Sequence, residues 1–127
     1  MSHKVHPYSH RLGIIRDWQS RWFGTRGQYQ KFLKADVLLR EFLEKKLRGM
    51  YVNVIEIERG NNSMRLTIKT ARPGMIIGRS GEGSTKLRQE VIKFLQKIEV
   101  EVPKVFHLDI EEVKNPEAQA KITAQTI

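Results

Sequence analysis

The sequence has no cysteine, which removes disulfide staples, thiolate metal sites and cysteine nucleophiles, and fits a reducing compartment. No apolar run nears the roughly 18 residues of a spanning helix. The first ten residues, MSHKVHPYSH, lack the apolar stretch of a signal peptide. A cytoplasmic chain with no membrane partner is expected. Acid is scarce on the N-terminal side: residues 1–34 hold seven Lys/Arg against Asp17 alone, a net +6. Residues 35–88 carry +5, and residues 89–127 carry −2. Repeats and low-complexity tracts are also lacking. Hydrophobic residues make up 39 % of 127, enough for one small core with an additional arm.

What is present is positive charge, +9 overall with a pI near 10, concentrated in the arm and the segments up to residue 88. Such asymmetry points to a polyanionic partner. Residues 1–34 show no sustained period and interleave basic and aromatic side chains, both tryptophans among them. Arginines there can pair with phosphates while flat rings offer stacking faces. Trp18, Trp22 and Phe23 are expected to dock the arm on the core, and the arginines to contact RNA.

Asp36 is read as the cap of a helix running to Leu47 and stopped by Gly49, with Leu38, Leu39, Phe42, Leu43 and Leu47 as its apolar stripe. Glu41 with Lys45 and Glu44 with Arg48 are placed as i,i+4 pairs on its wet side. Residues 51–59 and 64–70 alternate as strands, joined by GNNS into a hairpin. Arg65 and Lys69 fall opposite the core. Pro73 suits the first turn of a short helix through Ile77. A longer helix follows from about Ser84 to Ile98, then a third strand with Phe106, Leu108 and Ile110 inward. Asn115-Pro116-Glu117 opens a last helix. The order α-β-β-α-α-β predicts an α+β fold, a three-stranded sheet with helices on one face. The expected division is an arm at 1–34, a core domain at 35–114 and a helix start at 115–127.

Between the two central helices lies GMIIGRSGEG (74–83). It lacks the GxxxxGK[ST] of a Walker loop and the GxGxxG of a dinucleotide fingerprint, so no nucleotide cofactor is expected. Gly78-Arg79-Ser80-Gly81 instead forms a GxxG loop. Glycines there admit a close backbone, the next helix N-terminus offers N–H donors, and Arg79 adds a charge for phosphate. In this element order the loop resembles that of a type II KH domain, where GXXG clamps a nucleic acid backbone.

The likeness extends along the chain. Lys4-Val5-His6-Pro7, Arg11-Leu12-Gly13-Ile14, Trp18 and Trp22-Phe23 resemble the N-terminal signature of the bacterial-type small-subunit ribosomal protein S-three family. Thr70-Ala71-Arg72-Pro73-Gly74, Ile76 through Glu82, and Lys86-Leu87-Arg88 are similar to that family's type II KH core, and Glu112 through Glu117 to its next helix start. The resemblance implies a structural component of the small-subunit head near the messenger entrance. Its partners would be ribosomal RNA and the neighbouring S-ten and S-fourteen proteins. Family members continue into a second α+β domain that lines the messenger channel. This chain stops within a helix at Ile127, so a truncated chain is expected and messenger contacts belong to the missing domain. On this reading Gly78, Arg79, Ser80, Gly81, Lys86 and Arg88 meet RNA at the loop. Arg65, Lys69 and Arg72 extend the basic surface, and Lys4, His6, Arg11, Arg16, Arg21 and Arg26 act from the arm. Arg79-Ser80 carries one basic residue where relatives often have two.

Other constellations predict no chemistry. His3, His6 and His10 are interrupted by Pro7, so no metal site is expected. Glu111 and Glu112 point to opposite strand faces, and His107 with Asp109 lack a nucleophile. A binding protein, not an enzyme, is expected.

Overall fold

The computed structural model of the chain describes residues 4–60, 62–98 and 103–127. Two helices lie across one face of a twisted sheet. The elements are α1 (Pro7–His10), β1 (Ser20–Arg21), α2 (Arg26–Lys46), β2 (Val52–Gly60), β3 (Ser63–Thr70), α3 (Pro73–Ile77), α4 (Glu82–Lys97), β4 (Val105–Glu112) and α5 (Ala120–Thr126). Single 3-10 turns cover Arg79–Gly81 and Pro116–Ala118.

Alternation along β2 and β3 sets Ile55, Ile57, Met64, Leu66 and Ile68 toward the helices, where they are buried with Phe106 of β4. From above, α2 contributes Leu39, Leu43 and Leu47, and α4 contributes Leu87, Val91 and Leu95. Phe42 and Phe94 stack between the helices with centroids 4.4 Å apart. β2 and β3 pair antiparallel, and β4 returns parallel to β3, with Leu66 beside Leu108 and Ile68 beside Ile110. The turn residue Asn61 and the His3 of the histidine trio lie outside the described residues.

The sheet has four strands in the order β1-β2-β3-β4, one more than expected. The addition is the two-residue β1 from the arm, which runs parallel to β2 with Ser20 beside Ile57. The backbone N–H of Ile57 donates to the Gln19 carbonyl at 2.9 Å. A strand this short leaves no periodic trace in sequence.

α2 also differs from expectation. It begins at Arg26, ten residues before Asp36, and runs unbroken through residues 34 and 35. Asp36 is therefore no cap. It is 3 % exposed, accepting from Arg59 at 2.8 Å and from the Trp22 indole N–H at 2.6 Å. Burial of that carboxylate is tolerated because both oxygens are paired. Trp22 packs on Tyr29 (5.2 Å) and edge-on to Phe32 (5.4 Å), with the Arg59 guanidinium over Phe32 at 4.9 Å. Trp22 thus docks the arm as expected. Trp18 and Phe23 do not; they are 60 % and 88 % exposed.

Arg40 adds a second tie. Its guanidinium donates to the Ile55 carbonyl, to the Gln19 carbonyl at 2.9 Å and to Ser20 Oγ at 2.7 Å, bridging α2, β2 and the arm. Burial pushes its pKa below the ordinary arginine value, against the pull of Asp36, Glu44 and Glu56. On the wet side of α2 the ion pairs run between elements: Glu44 meets Lys121 of α5 at 3.9 Å, and Lys46 meets Glu90 of α4. The expected pairs with Lys45 and Arg48 are not among those formed by the described residues.

Candidate nucleic-acid interface

Pro73 opens α3 at the sharp exit from β3, and the helix closes after five residues with Gly78 N–H donating to the Gly74 carbonyl at 3.0 Å. Gly78 then adopts φ 73°, ψ −169°, a region in practice restricted to glycine. Ser80 (φ 57°) and Gly81 (φ 76°) are both left-handed, so the chain turns back within four residues. Ser84 and Thr85 hydroxyls donate back to the Gly81 carbonyl at 2.9 and 3.2 Å, which fixes the loop to α4. No side chain caps the start of α4. The Glu82 N–H closes the turn on the Arg79 carbonyl, and the positive end of the α4 macrodipole faces the loop.

Gly83 sets how closely the two helices meet. A Cβ there would stand 2.4 Å from the Ile76 carbonyl oxygen and 2.7 Å from that of Ile77. The last turn of α3 thus sits directly on the first turn of α4, and only a bare α-carbon allows it. In the sequence, the density of four glycines between 74 and 83 is the signal of that close approach.

The expected RNA-contacting residues separate into two groups. Arg79, Lys86, Arg26 and Lys4 are exposed and have no side-chain partner among the described residues. Lys86 lies just past the first turn of α4, close behind the loop. Arg72 is exposed, with its guanidinium over the Tyr51 ring at 4.9 Å. In the arm, Arg16 stacks on Tyr8 at 5.5 Å, and Arg11 donates to the Pro7 carbonyl at 2.9 Å. His6 caps α1, its Nδ1 accepting from Tyr8 N–H at 3.1 Å.

The second group is tied up internally. Arg21 meets Asp17 (3.0 Å), Glu56 (2.8 Å) and Glu58 (2.6 Å). Its hydrogen bonds to Glu56 and Glu58 raise its pKa further above the ordinary value. Lys69 reaches Glu56 at 3.3 Å and Arg65 reaches Asp109 at 3.5 Å, all on the sheet face away from the helices. Arg88 turns down from α4 to the Phe106 carbonyl at 3.2 Å. Glu56 and Glu58 are the acceptors that hold this face together.

A small basic α+β domain with a glycine-framed loop between two helices belongs to a recognisable class. The family model described as KH domain matches residues 38–118, and the chain belongs to that family. Along all 127 residues it is 44 % identical to small ribosomal subunit protein uS3 of Xanthomonas oryzae, covering 49 % of that protein. It is 45 % identical to uS3 of Francisella tularensis and 40 % identical to uS3 of Nitrosococcus oceani, covering 54 % of each. The resemblance to the S-three family therefore holds over the whole chain, which spans about half the length of the curated relatives it matches. No helix among the described residues is long and apolar enough to cross a membrane.

Proposed function

We propose that this chain anchors a small-ribosomal-subunit protein on ribosomal RNA, with the Gly78–Gly81 loop as its phosphate clamp. The observation that carries this reading is the loop itself: a glycine-only conformation at Gly78, a left-handed turn through Ser80 and Gly81, a helix start with no side-chain cap and an arginine without an acid partner among the described residues. Gly78 and Gly81 let the nucleic acid backbone approach, Arg79 pairs with a phosphate, and Lys86 and Arg72 extend the positive field. Ser80, held left-handed, shapes the turn. Lys4, Arg11, Arg16 and Arg26 supply further phosphate contacts from the arm. The action is binding and positioning, without chemistry.

The likeness to uS3 extends the proposal to the subunit head near the messenger entrance, beside the S-ten and S-fourteen proteins. Messenger contact is assigned to none of these 127 residues. The arm, the KH unit and a connecting helix are its working parts. The test is co-sedimentation of the chain with small subunits reconstituted around it, followed by cross-linking from residues 78–81. Cross-links to ribosomal RNA are expected. Binding to free RNA without incorporation into subunits would instead identify a free RNA chaperone.

A further inference from the structure

Where α5 crosses the start of β2, a cavity of about 360 Å³ opens between Tyr51, Ala71, Arg72, Pro116, Ile122 and Thr126. That volume lies within the range of roughly 300–1,000 Å³ typical of ligand pockets. Its aromatic wall is held in an uncommon way. Tyr51 sits at φ 56°, a left-handed conformation that bulky residues rarely adopt and that Gly or Asn would take with ease. The backbone there is pinned on both sides. Tyr51 N–H donates to Gln125 Oε1 at 3.1 Å, and its carbonyl accepts from Ala71 N–H at 3.1 Å and Thr70 Oγ1 at 3.2 Å. Gln125 is itself tied to the Val52 carbonyl at 3.1 Å. The ring so presented is only half-buried, so core packing does not account for it.

Arg72 lies over that ring at 4.9 Å, exposed and with no carboxylate partner among the described residues. A guanidinium stacked on a phenol gives a flat, positively charged shelf, the surface on which unpaired bases stack. Pro116 and Ile122 add apolar wall. The position is also apt. Arg72 immediately precedes α3, whose five residues end at Ile77, one residue before Gly78. At 1.5 Å per residue the loop is about 9 Å away along the helix, some three stacked nucleotides.

We propose that this cavity holds one unstacked base of the RNA strand whose backbone passes the Gly78–Gly81 loop, with the base against the Tyr51–Arg72 shelf and a phosphate beside Arg72. The proposal rests on the loop reading given above and adds a base-holding subsite to it. A peptide occupant is disfavoured by the planar cationic shelf, and the test separates the two.

Short single-stranded RNAs carrying one abasic nucleotide, walked along the strand, are titrated into the 127-residue chain and into Tyr51→Asn. Asn keeps the left-handed backbone and removes the ring. In the unaltered chain one abasic position should weaken binding about tenfold, and in Tyr51→Asn that loss should shrink to less than about twofold. Equal losses in both proteins would overturn the subsite while leaving the loop reading intact. Absence of RNA binding by the unaltered chain would overturn both. Photocross-linking of a 4-thiouridine RNA to the unaltered chain reads the site without any substitution. Cross-links at Tyr51 or α5 support the subsite, and cross-links confined to the loop and arm contradict it. In reconstituted subunits, a purely protein cross-link from position 51 contradicts it as well.

Discussion

The outer sheet face and the GxxG loop are both basic in sequence, yet they use their charge in opposite ways. On the sheet, Arg21, Arg65 and Lys69 each have a carboxylate within 3.5 Å, supplied by Asp17, Glu56, Glu58 and Asp109. Four acids among three bases leave that face with little positive field to offer a polyanion. At the loop, Arg79 meets no acid among the described residues, and the positive end of the α4 macrodipole lies behind it. Glu82 in the first turn of α4 is the nearest opposing charge in the chain, and there it favours the helix start. The difference teaches that residues of one sign count toward nucleic acid binding only after their internal partners are subtracted.

The comparison can be broken from either side. The largest effect is expected from Asp36→Ala, which leaves the Arg59 guanidinium and the Trp22 indole unpaired in a buried site. A loss of about 3–5 kcal/mol in chemical denaturation is expected, with the arm released to proteolysis. Next, replacing Arg79 and Ser80 together by aspartate should weaken single-stranded RNA binding about 100-fold at low salt, with the denaturation midpoint hardly moved. Gly83→Ala should cost about 1–3 kcal/mol, because its Cβ would have to push α3 off α4, and RNA affinity should fall with it. Smallest is Arg65→Ala on the sheet face: less than about 1 kcal/mol in stability and less than about twofold in RNA affinity.

How much of this was legible in the sequence depended on the range of the interaction that fixed each feature. Pro73 and the glycines at 78 and 81 act through their own dihedral angles, and the short helix ends where those residues say it must. Strand alternation from Met64 to Ile68 likewise reads locally. Asp36 misled because a short acid before an apolar stripe signals a cap, whereas its actual partners come from positions 22 and 59. The same long-range docking explains the early start of α2. Tyr29 and Phe32 face Trp22 rather than the sheet, so they do not continue the stripe of Leu39 and Leu43. The internal pairing of Arg21, Arg65 and Lys69 depended on strand register and on a two-residue strand with no pattern of its own. The left-handed Tyr51 carried no sequence mark at all.

The contrast between the two basic regions is tested most directly by the salt dependence of RNA affinity, measured in parallel for the unaltered chain, Arg79→Ala and Arg65→Ala. Each phosphate contact on a single strand contributes about −0.7 to the log–log slope. Arg79→Ala should flatten the slope by about that amount, and Arg65→Ala should leave it unchanged. A slope flattened by Arg65→Ala and untouched by Arg79→Ala would contradict the assignment of the loop as the phosphate clamp.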